Sequence, residues 1–291
     1  MKKSRMIKFL SLIAAITLVF SACGASETAS SSSQSEEAPV SLNDLTMDEL
    51  IAKAQEEGSI ESVGMPYDWA NWGQSWDTIE EKYGIKHYDT DMSSAEEIAI
   101  FKAEADSPTK DMGDVGHAYG KIAIEEDVVQ GYKPSTWDTI PDWAKDPDGK
   151  WIISYTGTNC FVTNTAVTDG VVPKTWEDIK NGTFSVSPGN VVGGASCQVA
   201  VLSCAIAMGG GLDNVQPGID FFKELAQQGR IDPGNLSSDR LATGEIAVML
   251  GKYDYSGLGY RNDFIEAGNG VNLEVTIPQD GAVTTGYCLI F

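Results

Sequence analysis

The sequence predicts an α/β protein made of two Rossmann-like lobes that are joined by a hinge. Helices and short strands alternate along residues 45–115, and a second alternation runs along residues 163–250. A long extended segment at 151–162 connects the two blocks. About 250 residues follow the N-terminal segment, which is enough for two domains of ordinary size. Alternating elements of this kind favour a mostly parallel sheet in each lobe.

The N-terminal segment has the features of an export signal. Four basic residues lie within the first eight positions, a largely apolar stretch covers 6–20, and two small residues precede Cys23. The apolar stretch is too short to span a bilayer, and polar residues follow it. We therefore expect a signal peptide at 1–22 and a flexible tether at 23–44.

A cysteine at the cleavage point, followed by such a tether, resembles the bacterial lipoprotein signal. The resemblance implies a lipid on Cys23 that anchors the protein to the extracytoplasmic face of the cell membrane. Phe20 departs from the lipoprotein pattern, which usually has Leu at this position. The alternative is an ordinary secreted protein in which Cys23 is incidental.

The chain that remains after removal of the signal is strongly acidic. The whole sequence has 20 Lys and Arg against 42 Asp and Glu, and the signal contains four of the basic residues and no acidic ones. The mature chain therefore has 16 basic residues and a net charge of −26. Nucleic acid and anionic headgroups repel such a chain, so we expect no nucleic-acid partner. Acidity also keeps an extracellular protein soluble, so it says little about the ligand.

The first lobe, predicted at 45–150, begins with a clearly marked helix. Thr46 and Glu49 form a capping box, and Gly58 ends the helix. The later elements follow from helical spacing of apolar residues, glycine stops and short apolar runs. They are a strand at 60–65, a helix carrying Trp72, Trp76, Ile79 and Tyr83, a strand at 85–88, a helix capped at Ser94, and a strand at 112–115.

The hinge crossover at 151–162 is rich in aromatic and β-branched residues and leads into the second lobe, predicted at 163–277. The predicted elements of this lobe are a helix capped by Thr175, a strand at 183–186, helices at 197–208, 219–228 and 238–242, and a strand at 246–250. We expect 278–291 to return toward the first lobe. The chain ends on an apolar run, where domains seldom finish, so we expect the complete protein to continue.

Four cysteines follow the tether, and their spacing does not select a pairing. Cys160, Cys197, Cys204 and Cys288 permit three complete pairings. We expect them to be buried free thiols. Without a CxxC motif or a Cys/His cluster, the sequence gives no indication of a zinc site or a redox pair. We expect no cofactor.

The order of several sequence stretches resembles the bacterial extracellular solute-binding proteins of family 1, in their iron(III)/putrescine-like branch. The most specific stretch is PKTWEDIKNG at 173–182. The matching stretches lie at 79–88, 111–120, 140–152, 164–186, 207–231 and 277–287. The resemblance implies the type II periplasmic-binding-protein fold, an ABC permease as partner, and a monomeric protein that captures a small solute and catalyses nothing.

Candidate site residues follow from the position of strand exits. In an open α/β sheet, ligands bind at the carboxyl ends of the strands, and two facing lobes enclose the solute when the hinge closes. The predicted ligand-binding residues are Tyr67, Asp68, Trp69, His117, Tyr119, Thr156, Thr158, Asn190, Gly194, Ser196, Tyr253, Asp254 and Tyr255.

These residues leave three ligand classes open. Aromatic rings interleaved with carboxylates favour an organic cation, such as a polyamine or a thiamine-like compound, which we rank first. The glycine-rich loop before the helix at 197 favours a phosphate or phosphonate anion, although glycines there also suit a simple helix cap. Ferric iron held by tyrosine and carboxylate oxygens ranks third, because no adjacent Tyr-Tyr pair is present.

An extracellular enzyme is the main rival class of function. The sequence contains no G-x-S-x-G, H-E-x-x-H or P-loop motif, and it has two histidines, His87 and His117. Carboxylate pairs for glycoside hydrolysis stay possible among so many acidic residues, but none is singled out. A lipoprotein that senses a ligand for a receptor is the second alternative, because its fold and site would be the same.

Overall fold

A computed structural model describes residues 41–268, 270 and 272–291. The predicted signal peptide, Cys23 and most of the predicted tether lie outside the described residues. The α-helices described are α1 (Met47–Glu57), α2 (Trp72–Tyr83), α3 (Ser94–Ala103), α4 (His117–Glu125), α5 (Trp176–Asn181), α6 (Ala195–Ala207), α7 (Gln216–Gln227), α8 (Ser238–Ala242) and α9 (Asp254–Ala267). The strands are β1 (Ser59–Val63), β2 (Lys86–Thr90), β3 (Met112–Gly116), β4 (Ile152–Asn164), β5 (Val186–Ser187), β6 (Val248–Tyr253), β7 (Leu273–Thr276) and β8 (Thr284–Ile290).

The strands form one continuous mixed sheet in the order β2-β1-β3-β8-β4-β6-β5, with β7 also paired to β4. β1 is parallel to β2 and β3, and β5 is parallel to β6. β8 is antiparallel to both β3 and β4, and β4 is antiparallel to β6 and β7. The predicted α/β class is confirmed.

The long strand β4 takes part in two sections of this sheet. Its residues 152–158 pair with β8, and its residues 159–164 pair with β6 and β7. We call β1, β2, β3, β8 and residues 152–158 the first section, and β5, β6, β7 and residues 159–164 the second section. The extended segment predicted at 151–162 is therefore a strand that belongs to both sections.

Each section has its own apolar core. In the first section, Ile98 of α3 and Tyr119 of α4 pack with Val115 and Ile290. In the second section, Trp176 is fully buried beside Phe161 and Phe221, and its Nε1 donates a hydrogen bond to Ser203 Oγ at 2.8 Å. The four cysteines 160, 197, 204 and 288 are buried free thiols, as predicted.

Several helix starts match the sequence prediction. Thr46 caps α1 and Thr175 caps α5, each through a capping box. The predicted cap of α3 is wrong by one residue, because Ser93 and Glu96 form its capping box. Ser94 already belongs to the helix, and its Oγ accepts a hydrogen bond from Gly116 N at 3.0 Å.

Three elements were absent from the sequence prediction: α4, α9 and β7. The predicted strands at 183–186 and 246–250 are also displaced toward the C-terminus, to Val186–Ser187 and Val248–Tyr253. Within residues 41–268, 270 and 272–291, no helix combines the length and apolar character needed to cross a bilayer.

Candidate functional site

A cavity of about 320 Å³ lies where the carboxyl ends of the parallel strands of the two sections meet. Its volume is at the small end of the range for ligand pockets, about 300–1,000 Å³. The first section and its helices contribute Gly64, Trp69, Asp91, Met92, Ser93, Ser94, Glu96, Glu97 and Asp114. The second section and its helices contribute Gly194, Ala195, Ser196 and Lys252, and Tyr287 of β8 completes the lining.

The N-termini of two helices approach each other beside this cavity. Ala95 N, in the first turn of α3, donates a 3.4 Å hydrogen bond to Gly193 O, just before α6. Gly116, at the end of β3, lies so close to Ala195 that a Cβ at position 116 would overlap the Cβ of Ala195. The two sections therefore touch at the edge of the cavity.

Asp114 of β3 forms part of the cavity wall and is 1% exposed. Its Oδ2 accepts hydrogen bonds from Tyr155 Oη at 2.6 Å and Trp72 Nε1 at 3.2 Å. Its Oδ1 is buried and has no hydrogen-bond partner among the described residues. Burial raises the pKa of the Asp114 carboxyl to about 7, although the hydrogen bonds from Tyr155 and Trp72 oppose the rise.

Glu97 of α3 lies behind Asp114 and is also 1% exposed. Its Oε2 accepts a hydrogen bond from Asp114 N at 3.0 Å. The carboxyl group packs against Gly64, where a Cβ would lie 2.5 Å from Glu97 Oε1. Burial, followed by the nearby charge of Asp114, raises the pKa of Glu97 well above its ordinary value.

The rim of the cavity carries charges of both signs. Asp91 and Glu96 are exposed, and hydrogen bonds from Ser93 lower the pKa of Glu96. Lys252 Nζ lies 5.2 Å from the centre of the Trp69 ring and 5.5 Å from that of Tyr260. Among the residues that the structure describes, no carboxylate is recorded within ion-pair distance of Lys252.

An aromatic cluster supports the cavity from behind. Tyr155 stacks on Tyr287 at 5.4 Å, and Tyr253 stacks on Tyr255 at 5.9 Å. Edge contacts at 5.6 and 5.8 Å join the two pairs. Burial raises the pKa of all four phenols, so the rings stay neutral at physiological pH. Trp69 Nε1 donates to Tyr155 Oη at 2.9 Å, which links the cavity wall to Asp114.

The structure places three of the predicted residues on the main cavity: Trp69, Gly194 and Ser196. Asp68, Trp69 and Tyr255 line a neighbouring cavity of about 160 Å³. Tyr119 is buried at the contact between the sections, where its Oη accepts from Gln198 Nε2 at 2.9 Å.

The remaining predicted residues lie outside the cavity lining or have other partners. Tyr67 is 60% exposed, and its Oη donates to Asp77 Oδ2 at 2.6 Å. The exposed His117 contacts the edge of Trp151. Thr156 and Asn190 are also exposed, and Asn190 Oδ1 accepts from the backbone of its own loop.

The predicted exit loop at 252–255 differs from the observed structure. Tyr253 is still in strand β6 and is 2% exposed, and Asp254 is the first residue of α9. Asp254 Oδ1 accepts a 3.0 Å hydrogen bond from Thr158 N. The predicted residues Thr158 and Asp254 therefore connect β4 to the start of α9. The sequence prediction ended this strand at Leu250, whereas the observed strand continues to Tyr253.

The sequence prediction missed all five charged groups that line the cavity: Asp91, Glu96, Glu97, Asp114 and Lys252. Asp91 follows β2, so the rule that selects strand exits would have found it. Lys252 was in a predicted exit loop and was not chosen. Within the described residues, no group of three or more His, Cys, Asp or Glu side chains is arranged to hold a metal ion.

The fold is shared with periplasmic binding proteins. AfuA from Actinobacillus pleuropneumoniae, solved with exogenous fructose-6-phosphate, is 19% identical and has a TM-score of 0.63, with coverage of 80% of this chain and 72% of AfuA. Iron-bound HitA from Pseudomonas aeruginosa is 16% identical with a TM-score of 0.59, and the coverage is 80% and 74%. The sulfate-binding protein SubI from Mycobacterium tuberculosis is 17% identical with a TM-score of 0.55, again with 80% and 74% coverage.

None of the curated proteins matches the sequence. A family model described as bacterial extracellular solute-binding protein matches residues 107–291, which is more than half of the chain. The family consists of solute-binding proteins and not enzymes, and it places the chain outside the cytoplasm. The chain belongs to the bacterial extracellular solute-binding protein family, as the sequence predicted.

Proposed function

We propose that the chain is the substrate-binding lipoprotein of an ABC importer, which captures a small solute in the 320 Å³ cavity and delivers it to a membrane permease. The observation that carries this proposal is the composition of the cavity wall, because both sections of the sheet contribute to it. A solute in this position holds the sections together, and its release requires them to separate. Family membership supports the binding role.

The proposed hinge consists of the strands that connect the two lobes. We retain the lobes at 45–150 and 163–277, with crossovers at 151–162 and 278–291. β4 passes from the first section to the second without a break, and register shifts near Ser154 and Phe161 interrupt its pairing. Such irregularities let a strand bend, which suits closure around a solute.

A solute with a cationic group stays first among the proposed ligands. Four carboxyl groups line the cavity with one lysine, and the Trp69 ring offers a face to a cation. A phosphate or phosphonate is second, supported by the N-terminus of α6. Ferric iron is third, because the buried phenols have raised pKa values and bind iron only after losing their protons. The ligands named for AfuA, HitA and SubI differ from one another, so the shared fold does not choose among these classes.

The proposed protein is a monomer that is anchored at the extracytoplasmic face of the cell membrane by a lipid on Cys23. Residues 23–44 form the proposed tether between the lipid and the folded chain. The basic residues before Cys23 and the apolar stretch at 6–20 support this part of the proposal.

The test combines a ligand screen with a measurement of shape. Purified protein is screened by thermal shift against amines, phosphonates, sugar phosphates and ferric citrate. A true ligand should raise the melting temperature in proportion to the logarithm of its concentration. In small-angle scattering, the same compound should reduce the radius of gyration. Scattering that is unchanged by every compound, with no thermal shift, would contradict the proposal.

A further inference from the structure

The charged groups of the cavity are separated by sign between the two sections of the sheet. The first section and its helices supply Asp91, Glu96, Glu97 and Asp114 to the lining and no basic residue. The second section and its helices supply Lys252 and no acidic residue. A ligand in the cavity is therefore in contact with a negative wall on one side and a positive wall on the other.

The negative wall contains an oxygen atom that needs a partner. Asp114 is almost completely buried, and Trp72 and Tyr155, neither of which lines the cavity, donate to its Oδ2. Its Oδ1 has no partner among the described residues. A buried polar atom without a hydrogen bond is costly, so a donor from the ligand would stabilise the closed form. An ammonium group meets this need and also compensates the carboxylate charge.

The positive wall consists of Lys252 and the first turn of α6. The N-cap residue of α6 is Gly194, which has no side chain to cap the helix, and Gly194, Ala195 and Ser196 line the cavity. Backbone N–H groups at such a helix start favour an anionic group. Lys252 adds a full positive charge on the same side, and its ammonium group lies over the Trp69 ring.

We infer that the solute is a short zwitterion, whose ammonium group pairs with Asp114 and whose carboxylate or phosphonate group pairs with Lys252 and the start of α6. This inference rests on the proposed function of the cavity. A solute that carries a single charge pairs with the charged groups of one wall. The charged groups of the other wall then lose their water without gaining a partner. A zwitterion bridges both walls, so its binding and the closing of the sections favour each other.

The test compares solutes that differ in charge and little in size. The probes are glycine, β-alanine, 4-aminobutanoate, 6-aminohexanoate and 2-aminoethylphosphonate. Each is paired with the amine that lacks the acid, the acid that lacks the amine, and the corresponding diamine. Affinities are measured by calorimetry at low ionic strength and pH about 8, where Asp114, with a pKa of about 7, is ionised. At least one zwitterion should bind about 10-fold or more tightly than each of its singly charged analogues.

Two substitutions assign the charges to the walls. Asp114→Asn should remove the preference for the zwitterion over the corresponding acid, and Lys252→Gln should remove the preference over the corresponding amine. Matched controls are Asp106→Asn and Lys121→Gln, which change exposed residues outside the cavity lining. Both controls should bind the zwitterion as the wild-type protein does.

The outcomes separate this inference from the proposed function. The inference is overturned if amines or diamines bind as tightly as the zwitterions, if the two substitutions leave the preferences intact, or if no zwitterion binds at about 10 mM. Binding of a sugar phosphate or ferric citrate with closure in scattering would retain the proposed function and reject the zwitterion. Neither binding nor closure with any compound would reject both.

Discussion

Two buried carboxyl groups meet at the floor of the cavity. Asp114 and Glu97 are each 1% exposed. The backbone N–H of Asp114 donates a hydrogen bond to the Glu97 carboxylate. Burial makes both charged forms unfavourable, and the charge of Asp114 raises the pKa of Glu97 further. The pKa of Asp114 rises to about 7 and that of Glu97 well above its ordinary value, so near neutral pH the cavity floor carries less charge than its composition suggests.

The protonation of Asp114 predicts a particular dependence of stability on pH. The unfolded chain releases the proton near the ordinary pKa of 3.8, whereas the folded chain keeps it until about 7. The contribution of this group to the free energy of unfolding is therefore complete below pH 3.8 and is lost as the pH rises toward about 7. Glu97 contributes with the same sign.

Asp114→Asn should remove this dependence. Urea unfolding of both proteins from about pH 4 to about pH 8 should show the wild type losing stability relative to the variant, by a few kcal/mol in total. Asp106→Asn, at an exposed position, should show no such trend. A constant difference between wild type and Asp114→Asn over this range would mean that Asp114 ionises normally in the folded protein.

Gly64 is a residue whose small size the cavity floor requires. It has a φ of +71°, and an added Cβ would lie 2.5 Å from Glu97 Oε1. Gly58 has a similar φ of +80°, but its added Cβ would meet nothing within 4 Å. The two positions therefore share the backbone strain of a substitution and differ in the steric contact.

Gly58→Ala should lower the free energy of unfolding by about 1 kcal/mol through backbone strain. Gly64→Ala should lower it by about 1–3 kcal/mol more, because the methyl group displaces the buried Glu97 carboxyl. Chemical denaturation of both variants measures the difference. An equal decrease in the free energy of unfolding for the two variants would show that the Glu97 carboxyl moves aside for the methyl group at no energetic cost.

At the scale of single elements, the sequence predicted those helices that have a marked start or stop. Thr46 and Thr175 cap the starts of α1 and α5 through capping boxes, and Gly84 ends α2. The missed helices α4 and α9 begin directly at the end of a strand, at caps that make no side-chain hydrogen bond. Because both lack a start signal, no helix was predicted at either position, and their first residues were interpreted as strand exits.

The site was predicted in part for a similar reason. Three residues that the strand-exit rule selected, Trp69, Gly194 and Ser196, line the cavity, because the rule depends on local order along the chain. The role of Asp114 depends on Trp72 and Tyr155, which reach its carboxylate from distant parts of the sequence. That Asp114 Oδ1 is buried without a hydrogen-bond partner among the described residues is a property of the packed structure, so sequence periodicity and motifs do not reveal it.

At the scale of the whole molecule, closure depends on how near the two sections can come. Gly116 has a φ of −55°, which any residue adopts, but a methyl group there would overlap that of Ala195. With the Ala195 methyl group removed, the nearest atom is Ala195 Cα at 3.6 Å, an ordinary contact. The contact of these two residues therefore limits the closed geometry without straining either section.

Gly116→Ala should weaken binding of the best solute from the screen by about 10-fold or more, because the sections meet before the cavity is complete. The stability of the unliganded protein should change little, since separation of the sections relieves the overlap. Calorimetry and small-angle scattering with the solute measure both effects.

The double variant Gly116→Ala/Ala195→Gly should recover most of the affinity and the compact scattering profile. Recovery of the affinity would show that the binding loss in Gly116→Ala arises at the contact between residues 116 and 195. If the single variant binds as the wild type does, or if the second substitution restores nothing, the contact does not govern closure.

A buried thiol serves as a chemical probe of local opening in the native protein. Cys197, 7% exposed in the first turn of α6, packs against the glycine loop that lines the cavity. Its sulfur packs against Gly189, Gly194 and Gly251, which all lie on the side of the second section. Burial raises the pKa of the thiol, which slows its reaction with electrophiles. Alkylation of this thiol in the native protein therefore measures how often the second section opens locally, without an introduced label.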